Sequence, residues 1–312
     1  MTDTAAHDRQ STRDGPPVAS APGATPAQPP KPGGAHVIVR APGVAEGAPR
    51  RARLRRRSLD IGLGVGVPAA LLVLWQVAGD AEWIDRTLYP RPTDIVDAGR
   101  AMVDDGVLWS NLWVSLQRIV KGFAYGSVAG VVAGFAMGMV RNLRSALEPL
   151  LNALYTVPKL ALLPVFLTVF GFGERPVVVL IAVTVFFFVW IATMSAVLAV
   201  PEGYHETARS LGLNRHQLFR HVLLPAALPE VFVGLRIAAG VSVLMLVGVE
   251  FVIGGDGLGY VIEQGRTTLV LGQAYVGIVL VALVGLAFSG VVQVVGRWLT
   301  PWSRERRDVP RL

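Results

Sequence analysis

Residues 201–225, PEGYHETARSLGLNRHQLFRHVLLP, form a polar interruption between long apolar runs. The segment predicts two short helices that meet at Gly212, because glycine commonly ends a helix in a left-handed conformation. Asn214, with a glutamine three residues later, matches a capping box that begins the second helix. Pro225 and Pro229 predict a break before the next apolar run. A polar helical pair set between membrane spans predicts a surface that a cytosolic partner holds.

The composition around this segment is that of a membrane protein. Of the 312 residues, 52% are hydrophobic and 16% are charged, which is more apolar surface than a soluble domain of this length needs. The net charge of +7 would suit a nucleic-acid binder, but the basic residues cluster at the ends of apolar runs. There are no cysteines, so disulfides and thiolate metal sites are excluded.

Three regions are predicted along the chain. Residues 1–57 are rich in proline, glycine, alanine and serine and end in a run of arginines, which predicts a disordered, basic cytosolic tail. Residues 58–300 predict a transmembrane domain, and residues 301–312 predict a second cytosolic tail. We expect no cleavable secretion signal, because the chain begins with polar residues.

The apolar runs predict an all-α, polytopic membrane fold of six transmembrane helices. Arginines before the first run and after the last place both termini in the cytosol. The acidic connection after the first run is expected on the outer face. The predicted spans are residues 61–78, 122–140, 150–172, 176–200, 229–253 and 269–296.

A glycine repeat in the second predicted span indicates close helix packing. The glycines recur every four residues, so they share one helix face on which a neighbouring helix can approach closely. The repeat consists of Gly122, Gly126, Gly130, Gly134 and Gly138.

Two charged side chains fall within predicted spans, where charge is costly unless water or a partner receives it. Lys159, between two prolines of the third span, either lines a pore or extends to the inner interface. Glu250, near the outer end of the fifth span, either lines an outer mouth or braces the loop that follows. That loop, GGDGLG, lacks the ending of a phosphate-binding loop and predicts a hinge at an outer gate. Its glycines are Gly254, Gly255, Gly257 and Gly259.

The cytosolic segment resembles the EAA motif of ABC importer permeases, which reads E-A-A, three residues, G, nine residues, I-x-L-P. Thr207 departs from the usual alanine. The phrases VPKLALLPVFLTVFGFGE at 157–174 and GGDGLGYVI at 254–262 are most similar to the nitrate, sulfonate and taurine branch of these permeases. The matching residues of the motif are Glu206, Thr207, Ala208, Gly212, Val222, Leu224 and Pro225.

This resemblance implies a type I ABC importer permease fold in the cell membrane. It implies that residues 201–225 are the coupling loop, whose first helix enters a groove on an ATPase subunit. The implied partners are two ABC ATPase subunits, an extracytoplasmic substrate-binding protein and a second permease copy in a homodimer. The chain itself has no Walker A sequence, so ATP is used by the partner, and no enzyme activity or bound cofactor is expected. The implied solute is a small anion such as a sulfonate, taurine or nitrate.

Other classes of function have weaker support in the sequence. An ion-driven carrier needs a carboxylate in mid-span, and only Glu250 comes near. The shared coupling subunit of a vitamin transporter would also hold ATPases. A DNA-binding helix-turn-helix could have the spacing of residues 201–225, but flanking membrane spans argue against nucleic acid. A metal site is not expected, because the histidines of this segment do not share one helix face.

Overall fold

The computed structural model describes the backbone of residues 50–303 and the side chains from Gly62 onward. Within this part the chain is helical with short connections and contains no strand, so the all-α prediction is confirmed. The chain divides into two compact units at Leu63. The described part of the first unit is the beginning of one helix, and the second unit contains everything discussed below. Most of the two predicted tails, residues 1–49 and 304–312, lies outside the described residues.

Eleven α-helices follow one another in the described residues, with short 3-10 turns after the fourth and the eleventh. A π-helical turn at Phe219–Leu223 joins the eighth helix to the ninth. The helices are α1 (Arg50–Asp80), α2 (Pro92–Asp104), α3 (Val107–Met139), α4 (Arg141–Thr156), α5 (Leu163–Phe170), α6 (Glu174–Leu198), α7 (Glu202–Ser210), α8 (Arg215–Leu218), α9 (Leu224–Ile253), α10 (Leu258–Thr267) and α11 (Leu271–Leu299).

Five stretches of helix among the described residues are long and apolar enough to cross a membrane, and a bent pair raises the number to six. The five lie in α1, α3, α6, the continuous stretch from α8 to α9, and α11. The third predicted span, 150–172, contains two prolines and is sharply bent, because α4 and the following Lys159–Phe170 meet at an angle of 87°. Val157, directly before Pro158, has the extended backbone that a residue preceding proline favours, and this ends α4.

Two further boundaries differ from the prediction. Helix α3 begins at Val107 rather than near 122, because the polar side chains of its first half face the interior of the bundle instead of ending the span. The predicted outer loop that follows GGDGLG is instead the helix α10, which packs between α9 and α11. The chain is therefore helical from Leu258 to Thr267, where the sequence predicted a loop.

The predicted break at Pro225 and Pro229 is also wrong, because the helix runs without interruption from Arg215 to Ile253. Pro225 occupies the first turn of α9, where a missing N–H costs little. Pro229 has no N–H to donate to the Pro225 carbonyl four residues earlier. The indole Nε1–H of Trp302 donates to that carbonyl at 3.1 Å instead. The freed backbone acceptor is therefore satisfied by the chain after α11, and the helix continues.

The glycine repeat of α3 packs against α6, which confirms the predicted close approach. A Cβ added at Gly126 would lie 2.3 Å from the Ala182 carbonyl oxygen, and one at Gly134 would lie 2.5 Å from Thr193 Cβ. Because backbone atoms form part of this contact, a side chain at these positions could be admitted only by separating the two helices. Large apolar residues of α3, α6 and α9 then complete the core, among them Ile119, Ile181 and Leu246.

Candidate functional site

A buried carboxylate lies near the C-terminal end of α9. Glu250 is 1% exposed, and Arg118 of α3, which faces it, is 6% exposed. Arg118 Nη1 donates to Glu250 Oε1 at 2.9 Å, and Ser115 Oγ donates to the same oxygen at 2.8 Å. A buried charge pair is held in place only when its remaining hydrogen-bonding positions are also filled. The backbone of the glycine-rich segment fills several of them.

Three successive N–H groups of that segment bind to this site. Gly257 donates to Asn111 Oδ1, Leu258 donates to Ser115 Oγ, and Gly259 donates to Glu250 Oε2, each at 2.8 Å. These are the first N–H groups of α10, which have no partner within their own helix. The Glu250 carboxylate also lies where the helix dipole favours negative charge. Helix α10 is therefore fixed at its start by groups from α3 and α9.

The glycines of the segment are required for two different reasons. Gly257 has φ +105°, and an added Cβ would lie 2.3 Å from Glu250 Oε1, so both conformation and space exclude a side chain. An added Cβ at Gly259 would lie 2.8 Å from the Val247 carbonyl oxygen. Gly254 and Gly255 have φ +70° and +91° but have open surroundings, so only their backbone conformation favours glycine.

Asp256 connects the same arginine to solvent. Its carboxylate pairs with Arg118 Nη2, and its carbonyl oxygen accepts from Arg118 Nη1 at 3.1 Å. The Asp256 side chain is 53% exposed, in contrast to the fully buried Glu250. Arg118 therefore contacts two carboxylates, the buried Glu250 and the accessible Asp256. Arg118 was not predicted as a site residue, because the second predicted span begins at residue 122. The available signal was a charged residue four positions before an apolar run.

Lys159 lies at the bend between α4 and α5. Its ammonium Nζ is 4.5 Å from the centre of the Tyr155 ring and 5.0 Å from that of Phe187, and it donates to the Tyr155 carbonyl oxygen. A cation at the end of a helix interacts favourably with the exposed carbonyl groups there. Lys159 therefore caps the last turn of α4. Whether it also contacts a solute stays a prediction.

The connection between α6 and α9 differs from the Glu250 site because most of its residues are exposed. Glu206 and Thr207 are exposed on α7, whereas Ala208 is 3% exposed and faces the bundle. Gly212 has φ +71°, and its N–H donates to the Arg209 carbonyl while that of Leu213 donates to the Ala208 carbonyl. These two bonds form the Schellman motif that ends a helix. The predicted helix, its end and its glycine are confirmed.

The second helix of the connection begins as predicted. Asn214 and Gln217 exchange hydrogen bonds of 2.9 Å between side chain and backbone, which is a capping box. Val222 lies in the π-helical turn, and Leu224 and Pro225 lie in the first turn of α9. The residues of the predicted motif are therefore distributed over one short separate helix and the start of a long one.

The protein combines membrane-length helices with an exposed helical connection before α9 and a hydrogen-bonded glycine segment after it. Together these features are those of the membrane subunit of a transporter. The family described as "Binding-protein-dependent transport system inner membrane component" matches residues 126–305. The chain belongs to this family. It is accordingly the multi-pass permease component of an ABC importer and not the ATPase, as the sequence predicted.

Similar proteins come from the branch that the sequence indicated. The chain is 34% identical to the putative aliphatic sulfonates transport permease SsuC of Bacillus subtilis, over 77% of this chain and 87% of that protein. It is 31% identical to the taurine transport system permease TauC of Escherichia coli, over 80% and 92%. It is 32% identical to the nitrate import permease NrtB of Leptolyngbya laminosa, over 81% and 96%.

Proposed function

We propose that this permease imports a small oxyanion, of the class that includes sulfonates, taurine and nitrate. It works with two ATPase subunits, an extracytoplasmic binding protein and a second copy of itself. The solutes of the similar permeases support this class, because sulfonates, taurine and nitrate all carry a planar or tetrahedral oxyanion group. Both termini are in the cytosol, so residues 201–225 face the ATPases and the Glu250 site faces outward.

The continuity of the coupling segment with α9 carries this proposal. From Arg215 to Ile253 the helix has 39 residues, which at 1.5 Å each span roughly 58 Å. Its inner end follows the separate helix α7, and its outer end contains Glu250. A displacement of α7 by a partner can therefore reach the outer segment through one helix, without passing through a chain of side-chain contacts.

The surface of α7 supports a protein partner. Leu211 is 74% exposed and Tyr204 is also exposed, seven positions apart and hence on the same helix face. Thr207 borders this face and is exposed, and Glu206 is exposed on the opposite side of the helix. An apolar face bordered by polar residues on a helix of nine residues suits a groove in an ATPase subunit. In this mechanism ATP binding closes the two ATPases, α7 moves with them, and the outer ends of the spans separate.

Two further features support the remaining partners and the energy source. Helix α4 is amphipathic but buries none of its residues within the protomer, which supports packing against a second copy. Glu250 is paired with Arg118, so it does not supply the freely titrating carboxylate that an ion-driven carrier needs. The energy then comes from the partner ATPase.

The test is reconstitution of the full complex in proteoliposomes with its ATPase and binding protein. Ethanesulfonate, taurine and nitrate are offered separately, and ATP-dependent uptake and ATPase activity are measured. We expect uptake of at least one of these anions to require ATP and the loaded binding protein. Uptake that is driven by an ion gradient without ATP would contradict the proposed function.

A further inference from the structure

A cavity of about 560 Å³ lies at the outer end of the bundle, next to Arg118. Its walls come from the middle of α3, the connection before α6 and the end of α9. The volume is within the range of sites for small molecules. The charged groups that line it are Arg118, Glu174 and Asp256. Lys121 already pairs with Glu174 at 2.9 Å, so Arg118 and Asp256 are the charges that define the cavity.

The contacts of Arg118 leave one edge of its guanidinium incompletely used. Nη1 is occupied by Glu250 and the Asp256 carbonyl, and Nη2 is occupied by the Asp256 carboxylate. Nε is buried and has no partner among the described residues. Nε–H and the neighbouring Nη2–H point in the same direction, and together they form the fork that binds two oxygens of one oxyanion. Asp256 uses only half of this fork.

The backbone around Asp256 allows it to leave while the rest of the site stays in place. Gly257 and the two residues after it are held by Asn111, Ser115 and Glu250. Before Asp256, Gly254 and Gly255 have positive φ and open surroundings. Rotation at these two glycines can therefore withdraw the Asp256 carboxylate toward solvent without breaking the three anchoring hydrogen bonds.

We propose that Arg118 is an oxyanion-binding residue of the outer cavity and that Asp256 occupies its place until the solute arrives. The proposal rests on the proposed function and names the subsite for the anionic group. A sulfonate or nitrate takes both Nε and Nη2 of Arg118, and Asp256 moves into water. The exchange replaces one negative charge by another beside Arg118 and Glu250, so the net charge around the buried ion pair does not change.

The experiment uses cysteine protection, because the natural chain contains no cysteine. Val114→Cys places a single thiol in the cavity wall, and the full complex in lipid nanodiscs is treated with a maleimide-polyethylene glycol reagent without ATP. Methanesulfonate, taurine and nitrate are titrated at constant ionic strength against chloride, which has no pair of oxygens for the fork. We expect these oxyanions to slow labelling with a saturable dependence on concentration.

Variants of the exchanging residue give the decisive comparison. In Asp256→Asn the competing carboxylate is absent, so the anion concentration for half protection should fall about tenfold. Asp97→Asn is the matched control, since Asp97 is an exposed acid paired with an arginine, 3.3 Å from Arg100, on α2. It should leave the protection curve unchanged. Arg118→Lys keeps the charge but lacks the fork, and it should weaken protection by about tenfold.

Two results would overturn the subsite. One is protection in Asp256→Asn at the same or a higher anion concentration than in the parent. The other is equal protection by chloride and methanesulfonate. Uptake by the reconstituted complex is measured separately on the same preparations. Uptake without anion protection removes the subsite alone, and protection without ATP-dependent uptake removes the proposed function alone.

Discussion

The two ends of the helix that begins at Arg215 differ in how they are held. At the outer end, Glu250 and Arg118 are buried and bind residues more than a hundred positions away in the chain. At the inner end, the Schellman motif at Gly212 and the capping box at Asn214 bind residues within five positions. The outer end is thus fixed by the fold of the protomer. The inner end has a fixed local shape but an exposed surface that a partner must complete.

This difference predicts opposite consequences of substitution. Changes at the outer end should reduce the stability of the isolated permease, because they leave buried polar groups unpaired. Changes at the exposed inner end should leave that stability nearly unchanged and affect only assembly and coupling. The following substitutions measure the contrast, beginning with the largest expected effect.

Arg118→Met should give the largest loss of stability. It leaves the Glu250 carboxylate buried without its cation, which typically costs about 3–5 kcal/mol. Thermal unfolding of the purified permease in detergent measures the effect. The double variant Arg118→Met, Glu250→Leu removes both charges and should recover part of the loss, because a buried pair replaced by apolar groups is often nearly neutral. Additive losses in the double variant would show that the two residues are not energetically coupled.

Gly257→Ala should follow, because it combines backbone strain with a clash. A methyl group would meet Glu250 Oε1 at 2.3 Å, and the positive φ alone costs about 1–3 kcal/mol. Gly255→Ala is the matched variant, since Gly255 also has positive φ but nothing within 4 Å. The difference between their unfolding temperatures isolates the contact with Glu250. Equal unfolding temperatures would mean that the Glu250 site accommodates the added methyl group without a loss of stability.

The same contrast explains which features could be predicted from the sequence. The α7 helix, its end at Gly212 and the capping box at Asn214 depend on neighbours in sequence, and all three were predicted correctly. The Glu250 site depends on Arg118 and Ser115 of another helix, and no local pattern brings these residues together. The sequence showed that a carboxylate lay near the outer end of a span, but not which cation balanced it.

The wrong boundaries have the same origin. Pro229 predicts a break from local chemistry, but Trp302, 77 positions after Pro225, supplies the missing donor. The polar half of α3 was not predicted as part of a span, because its Asn111, Ser115 and Arg118 find partners only in the folded bundle. The break at Pro158, in contrast, follows from the residues on either side, and the sequence noted the proline without predicting the angle.

Leu211→Asp tests the inner end, where a functional effect without a structural one is expected. Leu211 is highly exposed, so the unfolding temperature of the isolated permease should change by less than the equivalent of about 0.5 kcal/mol. Co-purification with the ATPase and uptake should both be strongly reduced. Glu206→Lys should act in the same way. Trp83→Asp, an exposed apolar residue on the connection before α2, is the matched control and should retain the ATPase. Normal co-purification of Leu211→Asp would place the contact elsewhere.

The smallest effect is expected at a half-buried ion pair at the start of α2. Arg91 donates to both carboxylate oxygens of Asp94, and these hydrogen bonds hold the pKa of Asp94 below its ordinary value of 3.8. A lowered pKa means that the stabilisation is fully present above the unfolded value and is lost as the pH falls through the folded value. The permease should therefore lose a small part of its stability only below about pH 4. Unfolding temperatures of the parent and Asp94→Asn should differ at pH 7, and the difference should narrow as the pH falls below about 4. A difference that does not narrow at all between about pH 5 and pH 3 would mean that Asp94 contributes by packing and not by its charge.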